Sequence, residues 1–212
     1  LPVPKKNLAA YREMAITSWN ANVSGTDADL ALSEKASFEY TKIFTDTDAF
    51  NELNEIKGSG AVKDPLLARQ LDLLYDAYLG NQVDTGLISL RLKMETEINK
   101  KYLNFRSDFN GKELSDNQIE DILKNSTSNS ELQAAWEGHK MIGQVVAEDI
   151  INLVKHRNLI AQKLGFRNFH EMSLKLSGQE PDEVTAIFNE LDDLTRDNFA
   201  QLKNDIDAYS SK

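Results

Sequence analysis

The longest helical run in the sequence sets the terms for everything else. From Ser130 to Leu164, closed by Gly165, apolar positions recur along one stripe: Leu132, Trp136, Gly143, Val146, Ile150, Leu153, Val154, Ala161 and Leu164. Glu137, Lys140 and Gln144 fall opposite. At about 1.5 Å per residue this is a rod of roughly 50 Å, too long for a small globule to hide. Only an assembly of further helices can cover such a stripe.

The remaining segments read the same way. Leu8, Tyr11, Ala15, Ile16, Trp19 and Val23 form a helical face that Gly25 ends. Thr26 caps a second stretch through Leu30, Phe38, Phe44, Leu53 and Ile56 to Gly58-Ser59-Gly60, with a break expected at Asp46-Thr47-Asp48. Asp64-Pro65 opens a third up to Gly80, and Asp84-Thr85 opens a fourth through Phe105. Ser115 with Gln118 makes a capping box after a polar turn at Gly111. A short helix near Asn168 to Leu176 and a last one from Glu180-Pro181 through Ile206 complete an irregular all-α array with no convincing strand.

Composition excludes several classes of function. The 212 residues contain no cysteine, which removes disulfide scaffolds, thiolate zinc sites and cysteine nucleophiles. With 24 Lys and Arg against 34 Asp and Glu, the net charge of −10 repels a phosphate backbone, so no nucleic-acid partner is expected. No apolar run reaches the roughly 18 residues of a membrane-spanning helix. The first residue is Leu1 rather than Met, from which removal of an upstream segment is expected.

Chemical motifs are sparse. His170-Glu171-Met172-Ser173-Leu174 begins like the zinc-peptidase motif H-E-x-x-H, but Leu174 stands where the second histidine must be. One His-Glu pair cannot hold zinc, and His139 and His156 lie on different helix faces. Helical geometry puts His139 and Arg157 on the apolar stripe, where each needs a partner. The plainer reading is a satisfied histidine and an Arg-carboxylate pair; the sharper one gives Arg157 to an anion site in a cleft. Asp46 and Asp48 have part of a calcium-loop spacing, without its glycine or terminal glutamate. The glycosylation patterns at Asn22 and Asn125 are no more frequent than chance, and the pairs Glu148-Asp149 and Asp192-Asp193 read as solvated surface. No catalytic, cofactor-binding or metal-ligating residue is therefore assigned.

Three blocks carry a resemblance. Ala135-Trp136-Glu137-Gly138-His139-Lys140-Met141-Ile142-Gly143, then Leu153 through Ala161 with His156-Arg157-Asn158, then Leu164-Gly165-Phe166, together with Ser18-Trp19-Asn20-Ala21-Asn22 and Gly25-Thr26, resemble the angiotensin-converting-enzyme family of zinc peptidyl-dipeptidases. The resemblance implies an all-helical, two-lobed enzyme whose amino-terminal helices form a lid over a deep cleft. It implies zinc held by H-E-x-x-H and a later Glu, short peptides as substrates, and a periplasmic, cell-surface or extracellular location. None of those ligands lies in this sequence, and the family's anion-binding arginine has no match, Leu174 standing near its place. Residues 1–212 are thus expected to be the helical amino-terminal portion of such a peptidase domain, binding no metal alone, with the catalytic portion of the same polypeptide as partner. The alternative is a non-catalytic all-helical interaction module.

Overall fold

The structure, a computed structural model, describes residues 5–210, and helix dominates them. In order they are α1 (Lys5–Ser24), α2 (Asp27–Lys42), a 3-10 turn (Ile43–Thr45), α3 (Thr47–Ser59), α4 (Pro65–Leu79) and α5 (Thr85–Asn104). A hairpin of β1 (Ser107–Phe109) and β2 (Lys112–Leu114) follows, then α6 (Asp116–Asn125), α7 (Asn129–Lys140), α8 (Ile142–Lys163), α9 (Phe169–Leu176) and α10 (Pro181–Ser210). The chain divides into two compact units, Leu1–Phe169 and His170–Lys212.

Side-chain caps explain most of the boundaries. The Asp46 carboxylate accepts from the N–H groups of Asp48 and Ala49, both at 3.0 Å, and Asp64 accepts from Leu66 and Leu67 at 2.9 and 3.0 Å. Asp84 does the same for Gly86 at 2.8 Å, and the Ser115 N–H donates to Gln118 Oε1 at 2.9 Å. Each satisfies a donor that the first helical turn leaves orphaned and sets a negative charge or dipole against the helix N-terminus. Asp46-Thr47-Asp48 is thus the break that the sequence marks, its first carboxylate spent on capping α3.

In the first unit α1 lies along α2, α2 meets α5, and α5 meets α8, while α3 packs on α4 and α6 on α7. Its buried centre includes Leu30, Leu53, Leu71, Ile88, Ile119, Val146, Leu153 and Ile160, with Ala21, Ala135 and Ala161 where backbones come close. Gly25, at φ +62°, turns α1 into α2 and also receives Asn104 from α5, whose side-chain amide donates to the Gly25 carbonyl at 3.0 Å. A side chain there would be strained by the backbone as well as pressed against Asn104.

Four features differ from the sequence reading. The rod from Ser130 to Leu164 is interrupted at Met141, whose N–H bonds to Gly138 O at 3.3 Å in an i−3 pattern. Backbone angles of φ −63° and ψ −24° at Met141 stay helical, so the break is a local tightening between two helices. Second, a strand pair exists: Asn110 (φ 54°) and Gly111 (φ 80°) supply the two left-handed residues of an Asn-Gly hairpin turn. Third, α1 buries Thr17 and Ala21 instead of its large residues, leaving Trp19 and Val23 each 72% exposed. Fourth, Ala135 occupies the buried position of α7 and Trp136 lies outside. The last two share a cause, because closely approaching helices favour small side chains at the contact and push bulky ones to the flanks.

In the second unit, Met172 of α9 is buried, and Gly178 (φ 73°) ends that helix with the Gln179 N–H on Leu174 O at 2.9 Å. Helix α10 then runs 30 residues with no buried side chain among those described.

Candidate functional site

The stripe of α8 turns its polar residues toward α5. Arg157 reaches Glu95 with two donors on one oxygen, Nη2 at 2.7 Å and Nε at 3.2 Å, and its guanidinium sits 5.0 Å from the Phe169 ring centroid. Both side chains of the pair are about one-third exposed, so water screens part of the attraction. Arg91 stands one turn before Glu95, its Nε 4.0 Å from the same oxygen and buried without a hydrogen bond. Glu95 is therefore a single carboxylate between two guanidiniums. An incoming anion would have to displace it from Arg157, which favours the plainer of the two readings of that residue.

The histidines are equally occupied and apart. His156 Nε2 lies 2.8 Å from the Leu87 carbonyl oxygen, a contact that closes α8 onto the start of α5. His139 Nδ1 lies 3.1 Å from Asp116 Oδ1 at the first residue of α6, close enough for an ion pair although not aligned as a hydrogen bond. His170 is exposed on α9, and Glu171 beside it bonds Lys175 one turn on, at 3.2 Å. Among the described residues no three His, Cys, Asp or Glu side chains gather as metal ligands. The groups present do not fit a catalytic zinc, and no hydrolytic step is assigned to them.

Between α2 and α5 there is a polar hollow of about 240 Å³, bordered by Ser33, Glu34, Ser37, Glu95, Thr96 and Asn99. A neighbouring hollow of about 230 Å³ shares Glu34. Each falls short of the roughly 300 Å³ at which small-molecule pockets begin, and neither has the apolar lining that would grip a ligand.

The described surface offers walls more than a reaction centre. Leu8, Ile16, Trp19 and Val23 form a continuous outward face of α1, opposite the contact with α2. Edge-to-face rings brace these first helices: Tyr11 to Tyr40, Tyr40 to Phe44 and Phe44 to Tyr78, with centroids 5.7, 5.3 and 5.4 Å apart. Burial raises the hydroxyl pKa of Tyr40 and Tyr78, with the Tyr11 and Asp46 charges adding to it respectively. The Asn22 and Asn125 amides donate to the carbonyls of Ser18 and Asp121 within their own helices, at 2.8 and 2.9 Å.

Glu95 is the residue that sequence reasoning missed. It lies 62 positions from Arg157, and nothing local distinguishes it from the other carboxylates of α5.

Comparison with known proteins supplies what the geometry does not. No curated protein and no solved structure matches the chain. The family model of the M2 peptidases, angiotensin-converting enzyme, matches residues 4–209, nearly the whole sequence and every helix from α2 to α9. With its Trp136-to-Gly143 and His156-to-Phe166 blocks set on α7, α8 and the turn beyond, the chain belongs to the angiotensin-converting-enzyme family of peptidases.

Proposed function

We propose that residues 1–212 are the helical amino-terminal portion of a zinc-dependent peptidase of peptidyl-dipeptidase type that acts on short peptides outside the cytoplasm. The observation that carries this reading is the family match over residues 4–209 in a sequence that holds no H-E-x-x-H. Zinc and the general base belong, on this reading, to the remaining portion of the polypeptide, where the metal supplies the activated water.

The part played by these helices is to restrict access. A wall of long helices admits flexible peptides and excludes folded proteins, so selection acts before chemistry does. Large side chains held outward on a braced helix, as Trp19 is on α1, suit such a wall.

A quenched short peptide, assayed with this chain and with a longer polypeptide that includes an H-E-x-x-H segment, tests the proposal. Cleavage by the longer polypeptide alone, abolished by chelator, is the expected result. Equal turnover by residues 1–212 would overturn the division of labour, and no cleavage by either would favour a helical interaction module.

A further inference from the structure

Helix α10 displays an apolar face with nothing on it. Ile187, Leu191, Leu194, Phe199, Leu202 and Ile206 fall, at helical spacing, within one stripe roughly 140° wide. They are between 48% exposed at Leu191 and 68% exposed at Phe199. Scattered hydrophobic residues are ordinary on a surface, but a contiguous stripe on the order of 500 Å² is the size of an interaction site.

Charge decides among possible occupants. The 30 residues of α10 include eight carboxylates against only Arg196 and Lys203. Both cations are engaged, Arg196 with Asp192 and Asp193 and Lys203 with Asp207. Among the described residues Glu183, Glu190 and Asp197 have no cationic partner, and helical geometry sets Glu183, Glu190 and Asp205 along one border of the stripe. A second copy of α10 would bring acid against acid: in an antiparallel pair, Glu183 of one copy faces Asp205 of the other. An anionic membrane surface is repelled for the same reason.

Building on the proposed function, we infer that this face of α10 receives an amphipathic helix from the remaining portion of the same polypeptide, with large aliphatic side chains at the contact and Lys or Arg along its borders. Burial of the two stripes supplies affinity, and the complementary borders fix orientation and reject acidic helices.

The absence of cysteine makes a direct test possible. A single cysteine introduced as Leu194→Cys should react rapidly with a maleimide in residues 1–212, and at least about tenfold more slowly in the longer polypeptide, where the face is covered. Equal rates would overturn the inference. The chemistry of the occupant is tested on residues 1–212 with two synthetic leucine-faced helices, one bordered by lysine and one by glutamate. The lysine helix should bind at least about tenfold more tightly at low salt, and Leu191→Asp with Leu194→Asp should abolish that binding. Glu190→Lys with Asp205→Lys keeps every apolar side chain and should narrow or reverse the preference, a result that stands even if the aspartate variant loses helix. Equal affinity for the two helices, or self-association through the stripe in sedimentation, would overturn the inference. Loss of chelator-sensitive cleavage in the longer polypeptide would count against the proposed function alone, since labelling at position 194 does not depend on activity.

Discussion

At the scale of single residues, two carboxylates have opposite consequences. Glu95 holds Arg157 and stands beside Arg91, so Glu95→Gln leaves two guanidiniums with no counterion between α5 and α8. We expect this variant to lose about 1–2 kcal/mol of stability, a figure reduced because the pair is partly solvated. Urea unfolding followed by circular dichroism reads that loss; an unchanged midpoint would show that the pair contributes nothing net. Asp76 on α4 behaves in reverse. Burial raises its carboxyl pKa above the ordinary 3.8, with Asp72 adding to the shift while Lys57 and Arg69 oppose it. The folded state then holds the proton more tightly than the unfolded state. Stability contributed by this group is full below 3.8 and is lost as pH rises through the higher folded value. Asp76→Asn, which never ionises, should match the parent protein at the acid end and exceed it toward neutral pH. Urea midpoints measured across the acid range test the sign, and a variant less stable at neutral pH would contradict it.

At the scale of elements, the two glycines beside the Met141 break predict different outcomes for the same change. A Cβ on Gly138 would stand 2.6 Å from the Asp108 carbonyl oxygen of β1, a backbone atom that cannot step aside cheaply. Gly138→Ala should therefore cost about 1–3 kcal/mol by forcing α7 off the hairpin. Nothing lies within 4 Å of a Cβ on Gly143, so Gly143→Ala should add about 0.5–1 kcal/mol through helix propensity. Thermal melts of the two variants should move in opposite directions, and a common direction would mean the contact at Gly138 is not what requires glycine there. Local and long-range determinants separate clearly in these elements. Caps are legible in the sequence because Asp64-Pro65, Asp84 and Ser115 with Gln118 satisfy local donors, and local chemistry is written locally. Helical period is legible for the same reason. The faces are not: in α1 and α7 the bulky residues alone suggest the core, whereas close backbone approach selects Ala21 and Ala135. The hairpin escapes sequence reading although Asn110-Gly111 is a strong turn pair, because three-residue strands leave no alternation to recognise. The Met141 break leaves no mark at all, since every residue there is compatible with helix.

At the scale of the whole molecule, the contrast lies between a first unit with a buried centre and α10, whose backbone hydrogen bonds have no side-chain cover. Local opening costs least where burial is least. Limited proteolysis of residues 1–212 should therefore cut first within residues 181–210, with mass spectrometry reading the sites. First cuts within α5 or α8 would show that burial does not govern opening here. No candidate reaction centre is legible in the sequence. The histidines and Arg157 stand out as needing partners, but those partners, Glu95, Asp116 and the Leu87 carbonyl, lie 62, 23 and 69 positions away and only folding brings them together.

The position of α5 also bears on how the chain acquires its fold during synthesis. One side of α5 meets α2, through Lys100 with Asp27 at 2.6 Å and Asn104 with Gly25, and these partners precede it on the ribosome. Its other side meets α8, through Leu87 with His156, Glu95 with Arg157 and Lys101 with Asp149. Translation at about 5–20 residues per second leaves several seconds between completion of α5 and emergence of Arg157. For that interval the nascent chain holds a helix finished on one side and bare on the other, a natural point for a chaperone to bind and for neighbouring ribosomes' products to aggregate. Slowing codons placed before α8 would lengthen that exposure, whereas the same codons placed after it would find the first unit already closed.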